Sequence, residues 1–311
     1  MNRRGYIFSV LSIILVIIIF SVSSSQSERQ QTQATFADSP ILLANEFLEQ
    51  FRRDVPRAVG ITAYRSFLGL EEHISAQASF LESFEQSFSE VIMNGTVEQI
   101  PYDIMDDATL GVFLLRMQEI GAERNVDIDL RVANVTAYHI TPFVVRVEVD
   151  IFLNASIPGA RWEYVEVVHA DFSVQDLKDP LFTVGTLGRV PRVIRASDVP
   201  SPLITADNNV SGLVDVWERG LYVPTALAPT FLMRFEGNLS PHPLGVASLV
   251  DTLVIDSQDL VVFAGRSVVD HIYFGSVPSE DYTVYGVVNM PARFLLDDDH
   301  LIVFDAEDKT T

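Results

Sequence analysis

VDIDLRVANVTAYHITPFVVRVEVDIFL, Val126 to Leu153, is the stretch in which the period of the chain changes. Val126, Ile128, Leu130 and Val132 alternate with Asp127, Asp129 and Arg131. Phe143, Val145, Val147, Val149, Ile151 and Leu153 alternate with Arg146, Glu148 and Asp150. A period of two sends successive side chains to opposite faces, so each run predicts a half-buried strand. Turn residues Ile140-Thr141-Pro142 separate the two runs, and Ile157-Pro158-Gly159 precedes a third, less regular one with Trp162, Tyr164 and Val168, reaching about Val174. The expectation is an antiparallel meander with one face on a core and one polar face.

Upstream the period is helical. Asp38-Ser39-Pro40 supplies a cap residue and a first-turn proline, and Leu43, Phe47, Leu48 and Phe51 follow at helix spacing. Pro56 is expected to end or kink this helix. Ile61, Tyr64, Phe67, Leu68, Ile74, Leu81, Phe84, Phe88, Val91 and Ile92 then predict one long helix, closed by Asn94-Gly95. A third helix is expected from about Ala108 to Arg124, with Leu110, Phe113, Leu114 and Met117 inward. Long amphipathic helices followed by a meander make an α+β order. The aromatic stripe reads as the core side of these helices.

Lys178-Asp179-Pro180 marks a boundary, after which the periodic runs shorten. Ser211 to Arg219 reads as a short helix ended by Gly220, and Phe231 to Phe235 as a strand. ARFLL and LIVFD read as a hairpin around a solvated acidic tip, Asp297-Asp298-Asp299-His300. The expected organisation is a leader and transmembrane anchor over 1–25, a polar linker over 26–39, a helical and antiparallel-sheet domain over 40–178, and a β-rich second domain over 179–311.

The anchor expectation rests on an apolar run, Tyr6 to Val22, broken only by serines and preceded by Arg3 and Arg4. A helix of this length reaches roughly 25 Å, near the hydrocarbon thickness of a bilayer. The next basic residue is Arg29, so the charge bias places the N-terminus in the cytoplasm and the bulk of the chain outside. A cleaved secretory signal, with Val22-Ser23-Ser24 as its cleavage site, is the competing reading of the same segment.

Arg3-Arg4-Gly5 followed by Tyr6 and an apolar helix resembles the leader of archaeal type IV pilin-like proteins. The resemblance implies cleavage between Gly5 and Tyr6, with the apolar helix retained as anchor or filament core and other pilin-like subunits as partners. That family carries a glutamate at the fifth mature residue, where this chain has Val10, a departure that points to a minor or non-polymerising member. The phrases GITAYRSF, DPL, FLMRFEGNLS, GVASLV and SVVDHIYFG, with the NGT after the long helix, resemble uncharacterised archaeal membrane-anchored surface proteins that share the leader. The resemblance carries no activity with it.

Composition narrows the function classes. A net charge of −21 disfavours nucleic-acid binding, which needs clustered Lys and Arg. Cysteine is absent, so disulfides, thiolate metal sites and cysteine nucleophiles are excluded. Lys178 and Lys309 are the only lysines. The sequons at Asn94, Asn134, Asn154, Asn209 and Asn238 are candidate glycosylation sites on an exported chain. His73, His139, His169, His242, His271 and His300 form no metal-ligand pair by spacing. Ser267, Asp270 and His271 are close in sequence, but a triad needs spatial convergence that neighbours on one element rarely give. No catalytic, cofactor or metal residue is singled out. The expected function is an exported single-span cell-surface protein of pilin-like layout, structural or adhesive and without catalysis. The alternative is a membrane-anchored extracytoplasmic binding module for a ligand or partner.

Overall fold

In the computed structural model, which describes residues 40–275 and 282–310, the chain begins with one long helix, α1 (Pro40–Gln77). Its buried stripe is Phe47, Leu48, Phe51, Val55, Val59, Ala63, Phe67, Leu70 and Ile74. Pro56 does not end it. Pro56 and Arg52, whose carbonyl loses its donor, are both exposed residues, so water can supply the missing partner.

The single helix expected over residues 61–92 is two helices. Ala78 turns left-handed at φ 50°, its N–H closing on the Ile74 carbonyl at 2.8 Å. The chain reverses, and the Ser83 side chain caps α2 (Phe84–Asn94) by accepting from the Gln86 N–H. The reversal folds Phe84 and Phe88 back onto Phe67, with ring centroids 5.9 and 5.1 Å away. Gly95, at φ 76°, terminates α2 as the Asn-Gly pair predicts. A small hairpin, β1 (Thr96–Val97) and β2 (Ile100–Pro101), leads to α3 (Leu110–Glu123), capped by Thr109.

The alternating stretch forms β3 (Asp127–Thr141), β4 (Val144–Ile157) and β5 (Ala160–Ser173), a three-stranded antiparallel meander in that order. Residues Val145, Val147, Val149, Ile151, Leu153, Ala155 and Ile157 of β4 face inward and are buried. Bulges at Ala133 and Ile140 shift the β3–β4 register. Helix α1 crosses the inner face alongside β5: Arg52 meets Glu166, and Tyr64 meets Phe172. Gly60 packs against Ala170, where a Cβ would lie 3.4 Å from the Ala170 methyl.

The second half corrects the expectation of a β-rich fold. Its helices are α4 (Pro180–Gly185), α5 (Ser211–Arg219), α6 (Phe231–Phe235), α7 (Thr252–Ser257), α8 (Asp270–Tyr273) and α9 (Asp298–Leu301). Its strands are the short pairs β6 (Val223–Pro224) with β7 (Val246–Ala247), and β8 (Val284–Gly286) with β9 (Leu295–Asp297). The expected strand Phe231–Phe235 is α6 because Thr230 caps it, its side chain accepting from the Met233 N–H, and because Phe231, Leu232, Arg234 and Phe235 are buried at helix spacing. The expected hairpin fails because ARFLL pairs with β8 while LIVFD continues from α9.

The main core runs through both halves: Tyr222, Phe231, Phe235 and Val246 join it from beyond Asp179. Phe67 alone touches Phe172, Phe231 and Phe235, at centroid distances of 5.1, 6.2 and 6.0 Å. A second cluster gathers around Leu213, Trp217, Leu249, Phe294 and Phe304.

The transmembrane part of the expected architecture also needs correction. The apolar run Tyr6–Val22 and the Gly5–Tyr6 junction lie outside the described residues. No described helix is long and apolar enough to cross a membrane. Helix α1 has the length, but its outer side carries Glu46, Glu49, Arg53, Asp54 and Arg57. Among the described residues the fold is α+β without a spanning helix.

Candidate functional site

Asp179, expected only as a boundary residue, caps α4 by accepting from the Leu181 N–H at 2.8 Å. Its other carboxylate oxygen accepts from the Tyr222 hydroxyl and from Arg234 Nη1, both at 2.6 Å. Arg234 Nη1 also donates to Asp270 Oδ2 at 2.9 Å, and Nη2 to the Val246 carbonyl. The same Asp270 oxygen accepts from the backbone and the hydroxyl of Ser248, at 3.0 and 2.9 Å. Asp270 Oδ1 accepts from the His271 N–H at 2.7 Å. Asp179, Arg234 and Asp270 are wholly buried.

The phrases DPL, FLMRF, GVASLV and SVVDHIYFG therefore meet at one point. Burial pushes the carboxyl of Asp270 up, but the Arg234 charge and the His271 hydrogen bond overcome it and hold Asp270 well below the usual range. Burial wins at Asp179, whose carboxyl is raised, and at the Tyr222 hydroxyl, raised further by Asp179. One guanidinium thus balances one firmly ionised carboxylate and holds a second that resists ionisation.

A second polar group adjoins the first. The His271 and His300 rings lie 5.0 Å apart at 65°. His300 Nδ1 faces Asp297 Oδ1 at 2.6 Å, and Asp297 Oδ2 accepts from the Ser267 hydroxyl at 2.6 Å. Of the acidic tip expected in solvent, Asp298 and Asp299 are exposed, but Asp297 is 4% and His300 2% exposed. Burial favours the neutral Asp297, but the hydrogen bond from His300 wins and its carboxyl is lowered. Burial lowers the His271 imidazole.

Ser267, Asp270 and His271 do not converge as a triad: His271 Nδ1 lies 3.2 Å from Asp270 Oδ1, but Ser267 donates its hydroxyl proton to Asp297 instead. Asp297 holds Ser267 with one carboxylate oxygen and His300 with the other, and no hydrogen bond joins Ser267 to His300. The group is a hydrogen-bonded lattice with two buried nitrogens, Arg234 Nε and His300 Nε2, that find no partner. Among the described residues no His, Asp and Glu side chains converge as a metal site.

Concave surface lies elsewhere. A cleft of about 110 Å³ beside Trp217, Val268, Arg293 and Phe294 is well below ligand size. An open groove of about 580 Å³ runs between α2 and β3, lined by Glu85, Ser89, Glu90, Asn94, Val132 and Asn134. Two sequon asparagines line it. Asn94, Asn134, Asn209 and Asn238 are exposed, while Asn154 is half-buried and its side-chain Oδ1 accepts from Arg161 Nε at 3.1 Å. Sequence reasoning missed the Arg234 lattice. Its one signal was an arginine inside the apolar phrase FLMRF.

No protein-family model, no curated protein and no solved structure matches the chain.

Proposed function

We propose that the chain is an exported cell-surface protein, directed to the membrane by its apolar N-terminal segment, with a structural or adhesive role and no catalysis. The observation that carries this reading is the sealing of the acid–base groups that cluster around Arg234 and Asp297. Asp179, Arg234, Asp270, His271, Asp297 and His300 are all buried and bonded to one another or to backbone, and neither concavity is lined by them. Catalysis needs such groups where substrate can reach them. The apolar run after Arg3-Arg4 and the exposed sequon asparagines support export. The groove between α2 and β3 favours a second reading, an extracytoplasmic binding module.

The test is fractionation of native-host cells, with the mature N-terminus read by mass spectrometry and external protease applied to intact cells. The expected result is a membrane-fraction protein digested from outside. A start at Tyr6 ties it to pilin-type processing, and a start at Met1 shifts weight to the binding module. A species found only in the cytosol overturns the proposal.

A further inference from the structure

From the free edge of the meander we infer that β5 pairs antiparallel with β5 of a second copy, about a two-fold axis through Glu166. This rests on the edge itself and is independent of where the protein resides. Among the described residues β5 pairs only with β4. The Val174 N–H donates to the Phe143 carbonyl at 3.0 Å, continuing the β4–β5 ladder one step past its end. Hydrogen bonding to β4 therefore falls on the even positions of β5. Alternation turns the N–H and C=O groups of Arg161, Glu163, Val165, Val167, His169 and Asp171 outward.

Edge strands are normally guarded by Pro, charged side chains, bulges or short length. Strand β5 has no Pro, no Lys and no bulge: it is 14 residues, ARWEYVEVVHADFS, with an unbroken register to β4, and its charges are of both signs, so a second copy can pair them. The opposite edge, β3, carries two bulges. Val165 and Val167 are 53% and 56% exposed at the middle of the open edge.

Charge order names the occupant. A two-fold axis through Glu166 sets Arg161 against the copy's Asp171, Glu163 against its His169, and Val165 against its Val167. Moving the axis one residue back, to Val165, sets Glu163 against Val167. Moving it one residue on, to Val167, sets Glu163 against Asp171. A slip that paired odd with even positions would oppose residues from different faces. Of these three axes, the Glu166 axis alone sets Arg161 against Asp171 and buries the valines together, forming about a dozen backbone hydrogen bonds.

Within one chain Arg161 holds Glu163 at 2.7 Å, and Arg146 holds Asp171 at 2.6 Å, so these charges already stand at the edge. Glu166 on the axis meets its own copy but carries Arg52 at 3.2 Å as counter-charge. Helix α1 runs alongside β5, so the same axis sets α1 antiparallel to its copy. The exposed acidic pair Glu46 and Glu49 then comes level with the copy's exposed basic Arg57 and Arg53. A closed two-fold dimer follows, not a filament.

The absence of cysteine makes the test direct. Single-cysteine variants of the full chain in detergent micelles are oxidised and run without reductant, with sedimentation read in parallel. Glu166→Cys is expected to cross-link to itself. Glu163→Cys and His169→Cys are expected to cross-link only when mixed. Val165→Lys with Val167→Lys, both at exposed positions, is expected to leave the circular dichroism unchanged and to weaken dimerisation by at least about 100-fold. A monomer at every micromolar concentration tested, with no cross-link, overturns the inference. So does a dimer that ignores the register of the cysteines or survives the paired lysines.

Discussion

Glu71→Gln should stabilise the protein at neutral and alkaline pH and do little in acid. Glu71 lies on the buried side of α1, where its Oε1 accepts from the Lys178 N–H at 2.8 Å. Burial raises its carboxyl from the ordinary 4.5 to about 7, against the opposing pull of Lys178. In the unfolded chain the carboxylate ionises near its ordinary value. Between the two values the folded state binds more protons, so stability falls as pH rises through this window. The displacement corresponds to about 3 kcal/mol at its full extent. Glutamine keeps an acceptor for Lys178 and never ionises. The difference between variant and wild type should therefore grow from near zero at about pH 4 to about 3 kcal/mol at about pH 8. Urea unfolding of the full chain in detergent, followed by tryptophan fluorescence across that range, measures it. A difference that is flat with pH, or largest in acid, refutes the reasoning.

His139 works in the other direction. Burial lowers its imidazole to about 4, so the unfolded chain takes up a proton below its ordinary 6.5 while the folded chain does not. Stability should fall by up to about 3 kcal/mol as pH drops through that window, and an NMR titration midpoint above about 6 would sink the prediction. Arg234→Met should cost about 3–5 kcal/mol near neutral pH, because Asp179 and Asp270 lose their buried counter-charge. Part of the loss should be recovered in acid, as denaturation midpoints at two pH values will report. In the native host, glycopeptide mass spectrometry should find occupancy among the exposed Asn94, Asn134, Asn209 and Asn238 and none at Asn154, whose side-chain Oδ1 is held by Arg161.

The meander was legible because three strands of 14 or 15 residues repeat one alternation many times over, and few other structures satisfy it. The first helix was legible too, but its length was not. Pro56 lies on the exposed side, which lessens the cost of its lost hydrogen bond, and the buried stripe on the other side holds the helix together through it. The break at Ala78 left no mark, because Ile74, Leu81, Phe84 and Phe88 keep helical spacing across a reversal of the chain. In the second half the elements are too short to show a period. FLMRF satisfies a strand by alternation and a helix by its 3–4 spacing, and the Thr230 cap decides. Asp298 and Asp299 are exposed as the acidic run suggested, but Asp297 and His300 are buried, because sequence alone does not reveal that Ser267 and His300 both bind Asp297.

The near-absence of lysine acquires a physical meaning in that second half. Segments without long strands leave backbone carbonyls with no ladder partner, and buried carbonyls need donors. Here side chains supply them. Arg192 donates to the Leu249 carbonyl at 2.6 Å, and Arg234 to that of Val246. Arg266 reaches the Tyr273 and Gly275 carbonyls at 3.0 and 2.9 Å, and Trp217 the Val250 carbonyl at 3.1 Å. Arg192 and Arg266 also lie over the rings of Phe182 and Phe263, with the guanidinium carbon 4.5 Å from each centroid. A guanidinium can stack on a ring and still donate several directed hydrogen bonds, whereas an ammonium is a more strongly hydrated point charge. Lysine would not serve at Arg234, where one planar fork joins two carboxylates and a carbonyl at a wholly buried position. At that position arginine does the work that sheet hydrogen bonds do in the first half.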